Sequence, residues 1–436
     1  MLGYIILVIA IILLLNKQKI WSLFIFIGFL SGYGGGYGLL ILDVIGEYPL
    51  KLGFMYMVIA ILLDKPNLGN IPSALKKKIR YYIAFLLVSC AISSFYYHIT
   101  LTDIFSALYG MTFVCGIYVF SKINKEDVIS LLRMISTLIF IMSVLYIIQA
   151  FTGVKMMPYM LSGGVLETSG LYRFYNSPPF LILFLVLSFI PLTEKIFIFN
   201  KNVCRAVFSL ACLATLGRTY ISISLASIIL ALLFVADKKR HSKKKIRILV
   251  VFVMILVIFP FILPFITSRG FDEDINLIVA GDIGDYQTTS ESATLSYRFA
   301  WVFERWIYMQ ERMLELLVGL GLYRSPSNAE LAKYSFKIGL WSNEWQRTQQ
   351  LITPDIAYGN LLTRLGLIGI FLYFNVLVYI GRFFYKHRYA STLIFGTFIA
   401  FCLEFVVGLS STTISETSFL TIYYLIFVYI LQIDNE

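Results

Sequence analysis

The sequence contains few charged residues for its length. Only 14% of its 436 residues are Asp, Glu, Lys or Arg, while 59% are hydrophobic. A soluble domain carries roughly 25% charged residues, so this composition excludes an ordinary soluble protein. Apolar runs of about 17 to 25 residues recur along the chain, the length that a helix needs to cross a membrane. Alternating segments of about ten residues, typical of a membrane β-barrel, are missing. The sequence predicts an all-α polytopic membrane protein.

Residues that carry hydrolytic or metal-dependent chemistry are also scarce. The chain has 3 histidines, and none lies between residues 268 and 358, its longest polar stretch. Its 5 cysteines show no CxxC spacing, so a disulfide framework or a cysteine metal site has no support. HExxH, P-loop and GxSxG motifs are missing from the sequence, so metal-dependent, nucleotide-hydrolysing and serine-based reactions are not indicated. We expect neither a metal nor a cofactor.

The apolar segments predict about 13 membrane spans, and a count of 12 or 14 stays open because several segments are short. The predicted spans are residues 2–15, 20–42, 51–64, 80–97, 104–120, 128–150, 178–194, 203–217, 219–236, 248–267, 360–381, 390–409 and 417–433.

The basic residues predict the orientation of these spans. The net charge is +11, and lysines and arginines concentrate in alternate short loops, most strongly from Asp237 to Arg247. Because positive charge marks cytoplasmic loops, we assign the excess to orientation and not to nucleic-acid binding. The polar connections 151–177 and 268–358 then face the extracytoplasmic side. The chain divides into a bundle of about ten spans (1–267), a large loop (268–358) and a bundle of about three spans (359–436).

The large loop is rich in arginine. Its arginines outnumber its lysines and are Arg269, Arg298, Arg305, Arg312, Arg324 and Arg347, against Lys333 and Lys337. The planar guanidinium fork binds pairs of carboxylate or phosphate oxygens. Two further arginines, Arg173 and Arg218, adjoin predicted spans near the outer interface. Such residues either mark a functional site or extend to lipid phosphates. We expect the outer face to bind an anionic group.

Two segments of the loop carry more specific predictions. An amphipathic helix is predicted from Ser296 through Arg305 and Arg312 to Leu317. It belongs to the site, lies on the membrane surface, or does both. Near the end of the loop, Asp355 stands just before a predicted span. A carboxylate there caps a helix or pairs with an arginine, or else it orients or deprotonates a hydroxyl group.

The order of these features resembles the O-antigen polymerase family (Wzy-type) within the O-antigen polymerase and ligase superfamily. The resemblance covers most of the chain as hydropathy and rests locally on short motifs. They are Leu216-Gly-Arg-Thr219, Arg298 and Trp301 leading to Gly319-Leu-Gly321, and Asp355 to Asn360 followed by Arg364-Leu-Gly-Leu-Ile-Gly369.

The resemblance implies a glycosyltransferase of the cytoplasmic (inner) membrane with its active face outside. A glycan carried on undecaprenyl pyrophosphate is transferred to the non-reducing end of another lipid-linked repeat unit, without nucleotide sugar or essential metal. It implies that Arg173, Arg218 and Arg298 bind the donor pyrophosphate. Arg218, Arg298 and Asp355 are its catalytic residues, and Asp355 or a neighbouring group positions the acceptor hydroxyl. Arg305 and Arg364 are further candidates for the pyrophosphate. A chain-length regulator is an implied partner, and the product is O-antigen, capsule or another exopolysaccharide.

Two other functions compete with this expectation. O-antigen ligases transfer a finished glycan to lipid A core, and they typically have a histidine in the large loop, which this chain lacks there. A lipid-linked oligosaccharide flippase would need polar groups along several spans and usually two similar halves. Mid-span charges are few here, with Arg133 and Glu404 as candidates, and we detect no internal repeat. The polymerase interpretation accounts best for the single arginine-rich loop.

Overall fold

The structure, a computed structural model, is built almost entirely from helices. It describes residues 2–30, 49–154, 156, 165–166, 170–174, 177–216, 218–235, 294–324, 327–339, 341–342, 347–353, 356–409 and 411–433. The α-helices are α1 (Leu2–Leu15), α2 (Lys19–Leu30), α3 (Pro49–Asp64), α4 (Ser73–Phe95), α5 (Leu101–Leu108), α6 (Ile117–Phe120), α7 (Lys125–Thr152), α8 (Leu181–Phe189), α9 (Lys201–Ala214), α10 (Arg218–Val235), α11 (Thr294–Gln310), α12 (Met313–Val318), α13 (Asn328–Lys333), α14 (Ala357–His387), α15 (Thr392–Val407) and α16 (Leu420–Ile433). Short 3-10 turns occupy Leu68–Asn70, Tyr109–Gly116, Thr413–Ser415 and Thr417–Phe419.

Strands are limited to two small antiparallel hairpins in the described part of the chain. β1 (Val165–Leu166) pairs with β2 (Tyr172–Arg173), and β3 (Trp341–Ser342) pairs with β4 (Arg347–Thr348). Both hairpins lie in the two long polar connections. The all-α class predicted from the sequence is therefore confirmed.

Four helical segments among the described residues are long and apolar enough to cross a membrane. They are Ser73–Phe95, Leu101–Phe120, Lys125–Thr152 and Ala357–His387. Shorter apolar helices occur at Leu2–Leu15, Lys19–Leu30, Tyr220–Ile229, Thr392–Val407 and Thr417–Ile433. These helices overlap predicted spans, and they fit a multi-pass membrane protein. The count of about 13 spans stays a prediction.

Local sequence signals fix several helix ends. The Asn124 side chain accepts a hydrogen bond from the amide of Asp127 at 2.7 Å and so begins α7. Gly153 ends α7 with φ +69°, where a residue with a Cβ would be strained. Ser391 caps α15 in the same way as Asn124 caps α7, by accepting from the amide of Leu393 at 3.0 Å. The boundaries of these helices thus follow from residues next to the apolar runs.

Two helix predictions differ from the structure. The helix predicted from Ser296 to Leu317 is two helices, because α11 ends at Gln310 and Arg312 takes a non-helical conformation (φ −133°, ψ 88°) before α12. Arg312 therefore does not share one helix with Arg298 and Arg305. The segment predicted as a span over 178–194 has a helix only over Leu181–Phe189, because the chain becomes extended at Ile190.

Some predictions fall outside the described residues. They concern the span 248–267, the basic loop from Asp237 to Arg247, Arg269, and Asp355. For Arg218 and Arg347 the structure describes the backbone but not the side chain.

The buried centre of the helical bundle is α16. Every residue from Leu420 to Ile430 is buried, and the helix contacts α2, α7, α14 and α15. The long helix α14 packs against α4, α15 and the short helix α12. Through α12, α14 joins the helical bundle to the polar loop that precedes it.

Candidate functional site

Helix α11 is anchored on the start of α14 by a tryptophan. Trp301 is fully buried, and a Cβ added to Gly359 would lie 2.6 Å from its ring. Glycine at position 359 thus allows the ring to lie directly on the α14 backbone. Arg298 precedes Trp301 by three residues, so both project from one side of α11. This anchor holds Arg298 beside the first turns of α14.

Arg298 is a partly buried cation without a full set of partners. Its Nε atom is buried and has no hydrogen-bond partner in the part of the chain that the structure describes. A buried polar group left without a partner costs about 1 to 3 kcal/mol, and more when it is charged. An anionic ligand would remove this cost, which makes Arg298 a binding candidate.

Arg305 has the opposite environment. It is fully buried, and its Nε and Nη2 atoms donate to the carbonyl oxygen of Gln350 at 3.0 and 2.9 Å. Its Nη1 donates to the carboxylate of Glu304 at 2.8 Å, and the guanidinium lies over the rings of Trp301 and Phe336, 4.1 and 4.4 Å from their centroids. The protein itself uses the binding capacity of this arginine. The structure assigns Arg305 to the architecture of the loop.

A glycine turn brings the end of the large loop onto α14. The turn Gly319-Leu-Gly321 follows α12, and the amide of Leu320 donates to the carbonyl of Thr363 at 2.7 Å. Gly366 interrupts the helical geometry of α14 with φ 58° and ψ −170°. A Cβ at Gly319 would lie 2.6 Å from the carbonyl carbon of Arg364. Two motifs singled out from the sequence therefore meet through their backbones.

This contact fixes the position of Arg364 near the start of α14. The side chain is partly exposed, and its Nε atom is buried without a hydrogen-bond partner among the described residues. The carboxylates of Glu416 and Glu330 are its favourable charge partners. Arg364 thus resembles Arg298 in its incomplete hydrogen bonding and differs from Arg305.

The residues around Asp355 are held by a reciprocal amide clamp. The amide of Thr353 donates to Oδ1 of Asn360 at 2.9 Å, and Nδ2 of Asn360 donates to the carbonyl of Thr353 at 2.7 Å. The hydroxyl of Thr363 donates to the carbonyl of Leu351 at 2.8 Å. Asp355 lies between the two clamped residues in sequence and is itself outside the described residues. The hydrogen bonds fix Leu351 and Thr353 against buried side chains of α14.

Arg173 lies in the smaller polar connection. It belongs to β2, where it pairs with Val165 of β1, and it is partly buried. The hydroxyl of Tyr146 on α7 donates to the carbonyl of Phe174 at 2.7 Å. Tyr172 lies against Gly153, where an added Cβ would come within 2.7 Å of the ring. These contacts attach the hairpin to the end of α7.

Arg218 is the first residue of α10. Leu216, two residues before it, has φ +49°, an unusual conformation for a bulky residue. The first turn of α10 contributes Tyr220 to a pocket between α8, α10, α15 and the 411–423 segment. We call this the acidic pocket, defined by Tyr220, Glu404, Thr412, Glu416, Phe419 and Tyr423.

The acidic pocket contains two carboxylates that the site prediction did not include. Glu404 is 6% exposed, and its Oε1 accepts a hydrogen bond from the hydroxyl of Tyr423 at 3.2 Å. Glu416 is partly buried and is the leading charge partner of Arg364. The sequence signal for Glu404 was a charge inside an apolar segment. The sequence signal for Glu416 was weaker, because the residue lies in a short polar interval between two apolar segments.

Several loop tyrosines surround a lysine and a glutamate. Nζ of Lys333 lies 3.7 Å from the ring centroid of Tyr97, 5.3 Å from that of Tyr334 and 5.9 Å from that of Tyr323. Burial raises the pKa of the Glu315 carboxyl, while Lys333 and Arg312 oppose this shift. Burial also lowers the pKa of Lys333, which Glu315 partly offsets. These contacts join Lys333 of the large loop to Tyr97 after α4, so packing accounts for these tyrosines.

The candidate residues divide into three groups. Arg298 and Arg364 lie on the contacting helices α11 and α14, and Glu416, which lines the acidic pocket, is a charge partner of Arg364. Arg173 and Arg218 precede segments that line this pocket, at Pro178 and Tyr220. Arg305 is separate because its guanidinium is buried in the loop. Among the described residues, no group of three or more His, Cys, Asp or Glu side chains is arranged to hold a metal ion.

Partly buried guanidinium groups can bind an anion, and the carboxylates of the pocket can accept hydrogen bonds from a neutral polar ligand. Comparison with known proteins adds no family assignment. No protein-family model and no curated protein sequence matches this chain.

Proposed function

We propose that this protein is a polysaccharide polymerase of the O-antigen polymerase type. It transfers a growing glycan from undecaprenyl pyrophosphate to the non-reducing end of another lipid-linked repeat unit, on the outer face of the cytoplasmic membrane. The proposal includes the arrangement of about 13 spans with residues 151–177 and 268–358 outside. Its partners are the lipid-linked repeat units, the membrane lipids and a chain-length regulator.

The incomplete hydrogen bonding of Arg298 and Arg364 is the observation that carries this proposal. Each has a buried Nε without a partner in the described part of the chain. Arginine is the side chain best suited to bind the paired oxygens of a phosphate. In the reaction, the bond between the donor sugar and the pyrophosphate breaks, and the pyrophosphate leaves with the electron pair. A guanidinium group beside this oxygen stabilises the developing charge.

The remaining predicted residues take supporting roles in the proposal. Arg173 and Arg218 extend the pyrophosphate site, and Asp355 positions the acceptor hydroxyl. Arg305 holds α11 in place by binding the carbonyl of Gln350, so it acts on the site through the position of Arg298.

The test is complementation of a polymer-producing host that carries a deletion of this gene. Native protein, Arg298→Ala and Arg364→Ala are compared by gel analysis of extracted glycans, with exposed Arg312→Ala as the matched control (43% of its side chain is exposed). We expect the native protein and the control to restore a ladder of repeat units, and the other two variants to leave single units.

Other outcomes would identify the competing functions. If the deletion host accumulates long lipid-linked chains and transfers none of them to lipid A, the protein is a ligase. Repeat units retained on the cytoplasmic face would show a flippase. Either result would overturn the polymerase assignment.

A further inference from the structure

The lining of the acidic pocket is suited to a neutral ligand with many hydroxyl groups. It combines the carboxylates of Glu404 and Glu416 with the hydroxyl groups of Thr412 and Thr413, and Tyr220 contributes an aromatic ring. Among the lining residues that the structure describes, none is Lys, Arg or His. A phosphate would be repelled by the two carboxylates, whereas sugar hydroxyls can donate to them. The pocket has a cavity volume of about 70 Å³, which is room for several water molecules.

The shape of the pocket is held by a strained residue. Phe180 lines the pocket and has φ +55° at the start of α8. A bulky side chain in this region costs about 1 to 3 kcal/mol, and such conformations concentrate at functional sites. The strain places an aromatic ring at the pocket, where the apolar face of a sugar can pack.

The two carboxylates have different surroundings. Among the described residues, Tyr423 is the one hydrogen-bond donor to the Glu404 carboxylate, and Glu404 is almost completely buried. Glu416 is more exposed and lies in the charge field of Arg364. Paired carboxylates in unlike environments commonly take unlike roles in one reaction. Glu404 is suited to accept a hydrogen bond from a ligand hydroxyl. Glu416, which interacts with the charge of Arg364, is suited to accept a proton.

We propose that the acidic pocket binds the acceptor sugar and that Glu416 is the base that removes the proton of its attacking hydroxyl. The oxygen of this hydroxyl forms the new bond to the anomeric carbon of the donor, and the bond from that carbon to the pyrophosphate breaks. The proton goes to Glu416, and the electron pair leaves with undecaprenyl pyrophosphate near Arg364. Glu404 binds a neighbouring hydroxyl of the same sugar. This inference rests on the proposed polymerase function.

The test uses the full-length protein in lipid nanodiscs with lipid-linked repeat units extracted from the deletion host. Initial polymerisation rates are measured for native protein, Glu416→Gln, Glu404→Gln and Asp355→Asn. Glu311→Gln is the matched control, because 75% of that side chain is exposed. A general base contributes about 100-fold or more to the rate. We expect at least this loss for Glu416→Gln, a rise in KM for the acceptor with Glu404→Gln, and no change in the control.

A pH profile separates a base from a structural residue. The native rate should fall on the acid side as Glu416 gains a proton, and the slow Glu416→Gln variant should lack this fall. The groups that face Glu416 and also bear on its titration are Arg364, Tyr373, Glu404 and Tyr423. If the Glu416→Gln rate still decreases at low pH as the native rate does, the assignment is overturned, even if the variant is slower overall.

The result also distinguishes this inference from the proposed function. If the native protein forms polymer and Arg298→Ala does not, while both pocket variants are as active as the control, only the acceptor pocket is wrong. If instead the rate of Asp355→Asn no longer decreases at low pH, Asp355 is the base and Glu416 is not. A rate that depends on added Mg²⁺ or Ca²⁺ in the native protein but not in Glu416→Gln would show that the pocket binds a cation. If the native protein forms no polymer, the proposed function fails.

Discussion

Gly319 and Gly366 touch through their backbones, because a Cβ atom added to Gly366 would lie 2.5 Å from the amide nitrogen of Gly319. Both residues have positive φ, +96° and +58°. The contact lies where the large loop meets the interrupted part of α14, one turn from Thr363, whose carbonyl accepts from Leu320. It therefore sets the position of Arg364 relative to the loop.

Gly366→Ala should destabilise the protein strongly. The methyl group would meet the Gly319 backbone, and the φ and ψ values of Gly366 belong to a region open only to glycine. We expect a loss of about 2 kcal/mol or more, seen as a lower unfolding temperature in detergent. Gly170→Ala is the matched control, because Gly170 has φ +78° with no atom within 4 Å of the added Cβ. Equal losses in the two variants would show that backbone strain alone, and not the contact, is responsible.

Arg305→Lys should reduce stability although the charge is kept. A lysine cannot reproduce the paired hydrogen bonds to the Gln350 carbonyl and the ion pair with Glu304. Hydrogen bonds to a buried charge contribute about 1.5 to 3 kcal/mol, so the unfolding temperature should fall clearly. Arg312→Lys, at a partly exposed side chain, should leave it unchanged. The assignment of Arg305 to the architecture fails if both variants behave alike.

Arg298→Gln should have the reverse effect. This variant removes a partly buried cation whose Nε has no partner among the described residues, so the unfolding temperature should stay the same or rise. Polymer formation should be lost, because the anion site has lost a guanidinium group. The two measurements on one purified sample separate binding from folding. A drop in stability as large as that of Arg305→Lys would place Arg298 in the architecture as well.

The sequence predicts helices and motifs better than it predicts contacts between them. Helices such as α7 and α14 could be predicted because the length and spacing of apolar residues along the chain indicate a helix directly. The break at Arg312 was not predicted, since no glycine or proline marks it in the sequence. Glu416 was missed because its importance depends on Arg364 and the pocket, which only the folded chain brings together. Arg305 and Arg298 look alike in sequence, and only burial and hydrogen bonding distinguish them.

Glu315→Gln should change how stability depends on pH. Burial raises the pKa of Glu315 above its ordinary value of 4.5. The folded state therefore holds a proton that the unfolded state has already released, and the stability contributed by Glu315 declines as pH rises through this window. We expect the decline as the pH rises above 4.5 to be smaller in the variant. Unfolding temperatures measured from below pH 4.5 upward, with Glu311→Gln as control, test this. A decline of native size in the variant would contradict the prediction.

The predicted orientation places Lys337 outside the cell and Lys122 inside it. Both side chains are exposed, so a cysteine at either position can react with a maleimide. The five native cysteines are all free, and they are first replaced by alanine to remove background labelling. A membrane-impermeant maleimide applied to intact cells should then label Lys337→Cys and leave Lys122→Cys unlabelled until the cells are opened. The reverse pattern would place Arg298 and the acidic pocket on the cytoplasmic side. It would therefore exclude polymerisation on the outer face.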